Sequence, residues 1–201
     1  YATLQEAQQA GCRPGHLPRV LGRWHGSDGW QCVLLEYVEG QTLADYVGER
    51  AASLELAARV FPALCDAVIE LHEGLPRPLV HRDLKPSNVI VDPRRGRVVI
   101  IDLGIAREHH EGAQTDTAHF GTRGYAPPEQ FGFGQSDERA DVYAAGKLLR
   151  FLVTGEHPGQ ETVQVAPGLA RVLHRACAIE PDKRYPSISK LRRAADRQLS
   201  L

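Results

Sequence analysis

An acid, a base and an amide stand close together as Asp83, Lys85 and Asn88, inside the run His81-Arg82-Asp83-Leu84-Lys85-Pro86-Ser87-Asn88. These residue types suit the movement of a phosphoryl group. Asp83 can accept the proton of an attacking hydroxyl. Lys85 can reach the same centre and neutralise the phosphate being moved. Asn88 offers a neutral oxygen to a hard cation such as Mg2+, which takes oxygen ligands. A second acid is needed nearby, and the spacing supplies it. Val89-Ile90-Val91 and Val98-Val99-Ile100-Ile101 are β-branched runs on either side of the turn signal Asp92-Pro93-Arg94-Arg95-Gly96. That pattern predicts an antiparallel hairpin. A hairpin sets the residue before its first strand beside the residue after its second, so Asn88 and Asp102 are expected to converge. An amide and a carboxylate meeting beside Asp83 form a magnesium–phosphate site.

Several elements must position these groups. Tyr1 to Ala10 reads as a helix, with no breaker before Gly11. Arg19 to Trp24 and Gln31 to Val38 read as strands around the turn Gly26-Ser27-Asp28-Gly29. Gly22, Gly26 and Gly29 do not fit a phosphate-cradling G-x-G-x-x-G. A short helix is predicted over Thr42 to Val47, and a longer one, capped by Ser53, runs to His72 with its apolar stripe at the helical period. Pro62 falls inside that stripe, so a kink near residues 58–62 is expected rather than a break. A further helix starts at Ser136 or Asp137 and stops at Gly155; two more cover Leu169 to Ala178 and Ile188 to Leu199.

Composition narrows the classes. The chain has 201 residues, 42% of them hydrophobic, enough for one sizeable core, and a net charge of −1 with acids and bases interspersed. Nothing favours a nucleic-acid partner. No apolar run approaches the roughly 18 residues of a membrane span, and no signal peptide is visible. Cys12, Cys32, Cys65 and Cys177 lack metal-ligand spacing and read as free thiols of a reducing cytoplasm. The chain starts at Tyr1 and contains no methionine, which implies a fragment or a processed chain.

The loop from His81 to Asn88 and the Asp102-Leu103-Gly104 triplet resemble the catalytic loop and metal-binding motif of eukaryotic-like serine/threonine protein kinases of bacteria, with Leu103 where that family usually has Phe. Gly121-Thr122-Arg123-Gly124-Tyr125-Ala126-Pro127-Pro128-Glu129 resembles the end of a kinase activation segment. Asp141-Val142-Tyr143-Ala144-Ala145-Gly146 resembles the start of the buried central helix of the large lobe. The resemblance implies an α+β, protein-kinase-like fold: residues 1–38 as part of the small lobe with a remnant of its sheet, and 39–201 as the mostly helical large lobe.

It also implies an ATP- and Mg2+-dependent enzyme acting on protein substrates. Asp83, Lys85 and Thr122 are the expected catalytic residues. Asn88 and Asp102 are the expected metal ligands. Glu36, Val38, Ile90, Lys85 and Glu6 are the expected nucleotide contacts, Glu36 and Val38 through hinge backbone groups next to the gating residue Leu35. Glu6 matches the small-lobe glutamate that pairs with an ATP-binding lysine. Arg184 is implied as the partner of Glu129, and Asp141 as the support beneath the catalytic loop. Thr115 and Thr117 stand where activation segments are phosphorylated, while His109-His110 reads as solvated loop. The family's glycine-rich loop and lysine clamp are not found; the first lysine is Lys85. The 201 residues by themselves are therefore expected to bind ATP weakly. Two other readings stand beside this one: a pseudokinase or truncated lobe used for binding, and a small-molecule phosphotransferase sharing H-x-D-x-x-x-x-N.

Overall fold

The computed structural model describes residues 1–27, 29–104, 106–108, 121–131 and 136–200. The architecture is α+β. Helix α1 (Ala2–Gln9) buries Thr3, Leu4 and Ala7. Strands β1 (Val20–His25) and β2 (Gln31–Leu35) pair antiparallel, with an irregularity between Val20 and Gly22. The predicted strand to Val38 ends at Leu35 instead. The last bond on that side joins Glu36 N–H to Arg19 O at 2.9 Å, and β1 offers no backbone beyond it.

The short strand β3 (Gln41–Thr42) leads straight into helix α2 (Leu43–Arg50), capped by the Thr42 hydroxyl on Asp45 N–H. Helix α3 (Leu54–Glu73) is capped by Ser53 on Leu56 N–H. It runs through Pro62 without a break, because Leu56, Val60, Phe61, Leu64, Val68 and Leu71 all stay buried along one stripe. The next strands are β4 (Leu79–Val80), β5 (Val89–Asp92) and β6 (Arg97–Ile100). β5 and β6 form the predicted hairpin, with Val89 opposite Ile100 and Asp92 opposite Arg97. Asp92 Oδ1 fastens its turn by accepting the N–H groups of Arg94 and Arg95. β3 adds to the outer side of β5, and β4 pairs with β7 (Arg107–Glu108). Neither pairing was foreseen, since runs of two residues carry no period.

Helix α4 (Glu138–Thr154) is the centre of the large core. Asp137 caps its start and Gly155, in the left-handed conformation at φ +74°, ends it. α3 packs on α4, and α5 (Pro167–Ala176) and α6 (Ile188–Leu199) close around them. Gly146 lets α4 and α5 approach closely: a Cβ there would lie 2.7 Å from Ala176 Cβ. Among the described residues no helix is long and apolar enough to cross a membrane.

The segment around Pro127-Pro128-Glu129 is tied to this core by a buried ion pair, as the sequence implied. Arg184 Nη1 and Nη2 donate to the two Glu129 oxygens at 2.6 and 2.8 Å. The remaining guanidinium protons meet the carbonyls of Ala178, Arg139 and Ile179. Removing one member strands the other charge in a site that is 2% exposed at Arg184. Arg184→Leu is therefore expected to lower the unfolding free energy by about 3–5 kcal/mol in urea denaturation. A loss below about 1 kcal/mol would show the pair to be dispensable.

Candidate active site

The site starts from the loop between β4 and β5. Asp141, fully buried at the start of α4, accepts the backbone N–H of His81 at 2.8 Å and of Arg82 at 2.9 Å. His72, at the end of α3, donates Nε2–H to the same carboxylate at 2.8 Å. Burial alone would raise the Asp141 pKa, but the bonds from His72 and the Arg82 backbone hold it below the ordinary value. Arg82 is thereby fixed at φ +72°, a left-handed conformation that non-glycine residues rarely adopt. Gln130 Nε2 holds the Arg82 carbonyl at 2.8 Å. His81 is fully buried; its Nδ1 accepts Asp83 N–H and its Nε2–H donates to Ile101 O. Burial pushes its pKa down, which keeps the ring neutral in this bonding pattern.

Four predicted residues meet in one network. Asp83 Oδ1 accepts the Thr122 hydroxyl at 2.7 Å and the Thr122 N–H at 3.0 Å. Asp83 Oδ2 accepts Lys85 Nζ at 2.7 Å and Asn88 Nδ2 at 3.2 Å. Lys85 Nζ also donates to the Thr122 hydroxyl oxygen at 2.9 Å. Gly121, at φ +120°, lets Thr122 come this close: a Cβ at position 121 would meet Ala126 Cβ at 2.5 Å.

Asp102 arrives from the other end of the hairpin. Ile101 N–H donates to Asn88 O at 2.9 Å, extending the ladder one residue past Val89 and Ile100. Asp102 thus follows directly on the partner of Asn88. It stands at φ +64°, exposed, with Oδ1 accepting Gly104 N–H.

A cavity of about 1040 Å³ is lined by other residues; Asp83, Lys85, Asn88 and Thr122 are not in its wall. Leu35, Glu36, Val38, Ile90 and Asp102 line it, together with Tyr1. Three expected nucleotide contacts, Glu36, Val38 and Ile90, therefore share one cavity with an expected metal ligand. The Glu36 N–H is taken by Arg19, which leaves its carbonyl as the polar group to meet a base.

Glu6 is not brought there, and this corrects the sequence reading. It lies on the exposed face of α1 and pairs with Arg77. Leu4 and Ala7 take the inward positions, and the helical period turns Glu6 away from them. Tyr1 stands in the cavity wall instead, and its hydroxyl accepts Leu103 N–H at 2.9 Å. Sequence reasoning missed Tyr1 and His72. A histidine at the end of a buried helical stripe was the available sign for His72; Tyr1 had none. Thr115, Thr117, His109 and His110 lie outside the described residues.

The donor set fits Mg2+. Both Asn88 Nδ2 protons are engaged, by Asp83 O at 2.9 Å and by Asp83 Oδ2, while Oδ1 accepts a long 3.5 Å bond from the Ser87 hydroxyl, so Oδ1 is the atom that could turn to a cation. One amide oxygen and one carboxylate suit a hard ion and not a soft one. Among the described residues no three or more His, Cys, Asp or Glu groups come together as a metal cage. Phosphate oxygens and water would complete such a shell.

Comparison with known families matches residues 19–198 to the protein kinase domain. The chain belongs to the protein kinase family. The relatives are bacterial as well as plant proteins. "Serine/threonine-protein kinase A" of Synechocystis sp. is 34% identical over 71% of this chain and 29% of its own length. "Serine/threonine-protein kinase PknA" of Nostoc sp. is 28% identical over 92% of this chain and 36% of its own. "Serine/threonine-protein kinase PknB" of Mycolicibacterium smegmatis is 31% identical over 80% of this chain and 29% of its own. The chain thus spans about a third of the length of these curated relatives.

The buried neutral His81 makes the kinase domain sensitive to acid. Below the ordinary histidine value of 6.5 the unfolded chain takes up a proton there while the folded domain does not. Stability is therefore complete above that pH and falls as pH drops below it, until the lowered folded-state pKa is passed. This one group contributes a slope of at most about 1.4 kcal/mol per pH unit. His81→Gln should flatten the dependence of unfolding free energy on pH between about 6.5 and 5. An unchanged slope in the variant would remove His81 as its source.

Proposed function

We propose that this kinase domain transfers the γ-phosphoryl group of ATP to serine or threonine hydroxyls of protein substrates. The observation that carries the proposal is the bonding of Asp83 to Thr122, Lys85 and Asn88, with Asp102, one residue past the ladder partner of Asn88, in the wall of a cavity. Residues 1–38 act as the small-lobe part and 39–201 as the large lobe, with the hinge at Glu36 to Val38. The carbonyl of Glu36, the backbone of Val38 and the side chain of Ile90 would hold the adenine of ATP in the cavity they line.

Asp83 orients the substrate hydroxyl and accepts its proton as the oxygen bonds to the γ-phosphorus. The bond to the β–γ bridging oxygen breaks and ADP leaves with that electron pair. Lys85, already held 2.7 Å from Asp83, sits close enough to stabilise charge on the moving phosphoryl oxygens. Thr122 ties the activation segment to the same carboxylate, which supports a preference for serine and threonine. Asn88 Oδ1 and Asp102 would hold Mg2+, which when bound would neutralise phosphate charge. Most of the rate enhancement then comes from position and charge, because the groups are bonded in place beforehand. A cytoplasmic setting agrees with the four free cysteines and with the supply of ATP.

The test uses the full-length protein and radiolabelled ATP with a general protein acceptor. Asp83→Asn should lower phosphate transfer by about 10²–10⁴-fold. Asp102→Ala should abolish transfer at millimolar Mg2+. Both variants should keep the parent's circular dichroism, since neither residue is fully buried. Undiminished turnover in either would refute the roles assigned here.

A further inference from the structure

We propose that Tyr1 is a positioning residue for Asp102, acting through the backbone of Leu103. The inference rests on the reading of Asp102 as a metal ligand. Asp102 holds φ +64°, a conformation that costs a non-glycine residue energy and persists only where its neighbours enforce it. Two bonds do so. Gly104 N–H reaches back to Asp102 Oδ1 at 3.2 Å, and Leu103 N–H donates to the Tyr1 hydroxyl at 2.9 Å. The first bond is internal to the turn and would move with it. The second ties the turn to helix α1, a separate element.

The surroundings make that second bond hard to replace. Leu103 is 2% exposed, so its N–H, if deprived of Tyr1, would face an apolar core rather than water. Burial and the charge of Asp102 both raise the Tyr1 pKa, although the Leu103 bond works against them, so the phenol stays protonated at neutral pH. Tyr1 also forms part of the wall of the same cavity as Asp102, Leu35 and Ile90. The Tyr1 hydroxyl is thus the contact from the start of α1 that orients the turn carrying Asp102.

The experiment compares Tyr1→Phe with the parent in the full-length protein. Phe keeps the ring and its packing but loses the acceptor. Mn2+ binding is followed by electron paramagnetic resonance with a non-hydrolysable ATP analogue present. Hydrogen exchange of the Leu103 amide is measured alongside. Tyr1→Phe should weaken Mn2+ about ten-fold and speed Leu103 exchange, while Tyr1→Leu should do no worse for Mn2+ if the hydroxyl rather than the ring matters. Asp102→Ala serves as the reference for loss of the site. Mn2+ affinity within two-fold of the parent in Tyr1→Phe, with binding lost in Asp102→Ala, would overturn the role of Tyr1 alone. Unchanged Mn2+ binding in Asp102→Ala would instead overturn the metal reading and this inference with it.

Discussion

Asp141 has no exposure to solvent, and a carboxylate so placed is tolerated only when its lone pairs are met. Three donors meet it: the backbone of His81, the backbone of Arg82 and the imidazole of His72. The demand runs both ways. Consecutive N–H groups can converge on one carboxylate only if the chain between them turns sharply, and Arg82 supplies that turn at φ +72°. The next residue is Asp83. Its side chain is aimed at Thr122 and Lys85 because the two residues before it are anchored to the central helix. The Asp83 carboxylate therefore inherits its direction from a buried charge on the central helix.

The network around Asp83 divides its two oxygens between two tasks. Oδ1 is given to Thr122, from the segment that leads to Glu129. Oδ2 is given to Lys85 and Asn88, from its own loop. Lys85 bridges the two sides by also reaching the Thr122 hydroxyl. The segment is anchored a second time, because Glu129 takes both terminal nitrogens of Arg184. The distance between those anchors is fixed by a short stretch with a buried Tyr125 and Ala126. Of these contacts the Glu129–Arg184 pair is the buried one, where losing either member strands a charge away from water, whereas Asp83 and Lys85 keep some contact with solvent.

Much of this was legible in the sequence because it was local. β-Branched runs on either side of Asp92-Pro93 announced the hairpin, and the hairpin alone brought Asn88 towards Asp102. Ser53, Asp137 and Gly155 mark helix ends by their own chemistry, and the structure uses all three as caps. The Glu129–Arg184 pair came from a resemblance, since nothing in the spacing of those residues points to it. What stayed hidden was rotational or tertiary. Glu6 came from the resemblance, and its place along the chain says nothing about the phase of α1; burial of Leu4 and Ala7 decides that phase. Tyr1 depends on a contact with Leu103, 102 residues on in sequence, and His72 depends on where α3 ends relative to α4. No single-chain periodicity encodes either distance.

The two positive-φ residues of the site, Arg82 and Asp102, bracket the hairpin, one before β5 and one after β6. Within the hairpin the separation of the strands is set by backbone bonds, with Ile101 N–H on Asn88 O as the last rung. The span between Asn88 and Asp102 is therefore fixed by ladder geometry and not by side-chain packing. What the ladder cannot fix is the direction in which each end leaves it. That is settled outside the sheet, by Asp141 of α4 on the first end and by Tyr1 beside α1 on the second. The first clamp belongs to the densest part of the core, where α3 and α4 pack. The second rests on an eight-residue helix with three buried positions. The end of the hairpin at Asp83 is thus oriented by the central helix, and the end at Asp102 by the contact of Tyr1 with Leu103, 102 residues away in sequence.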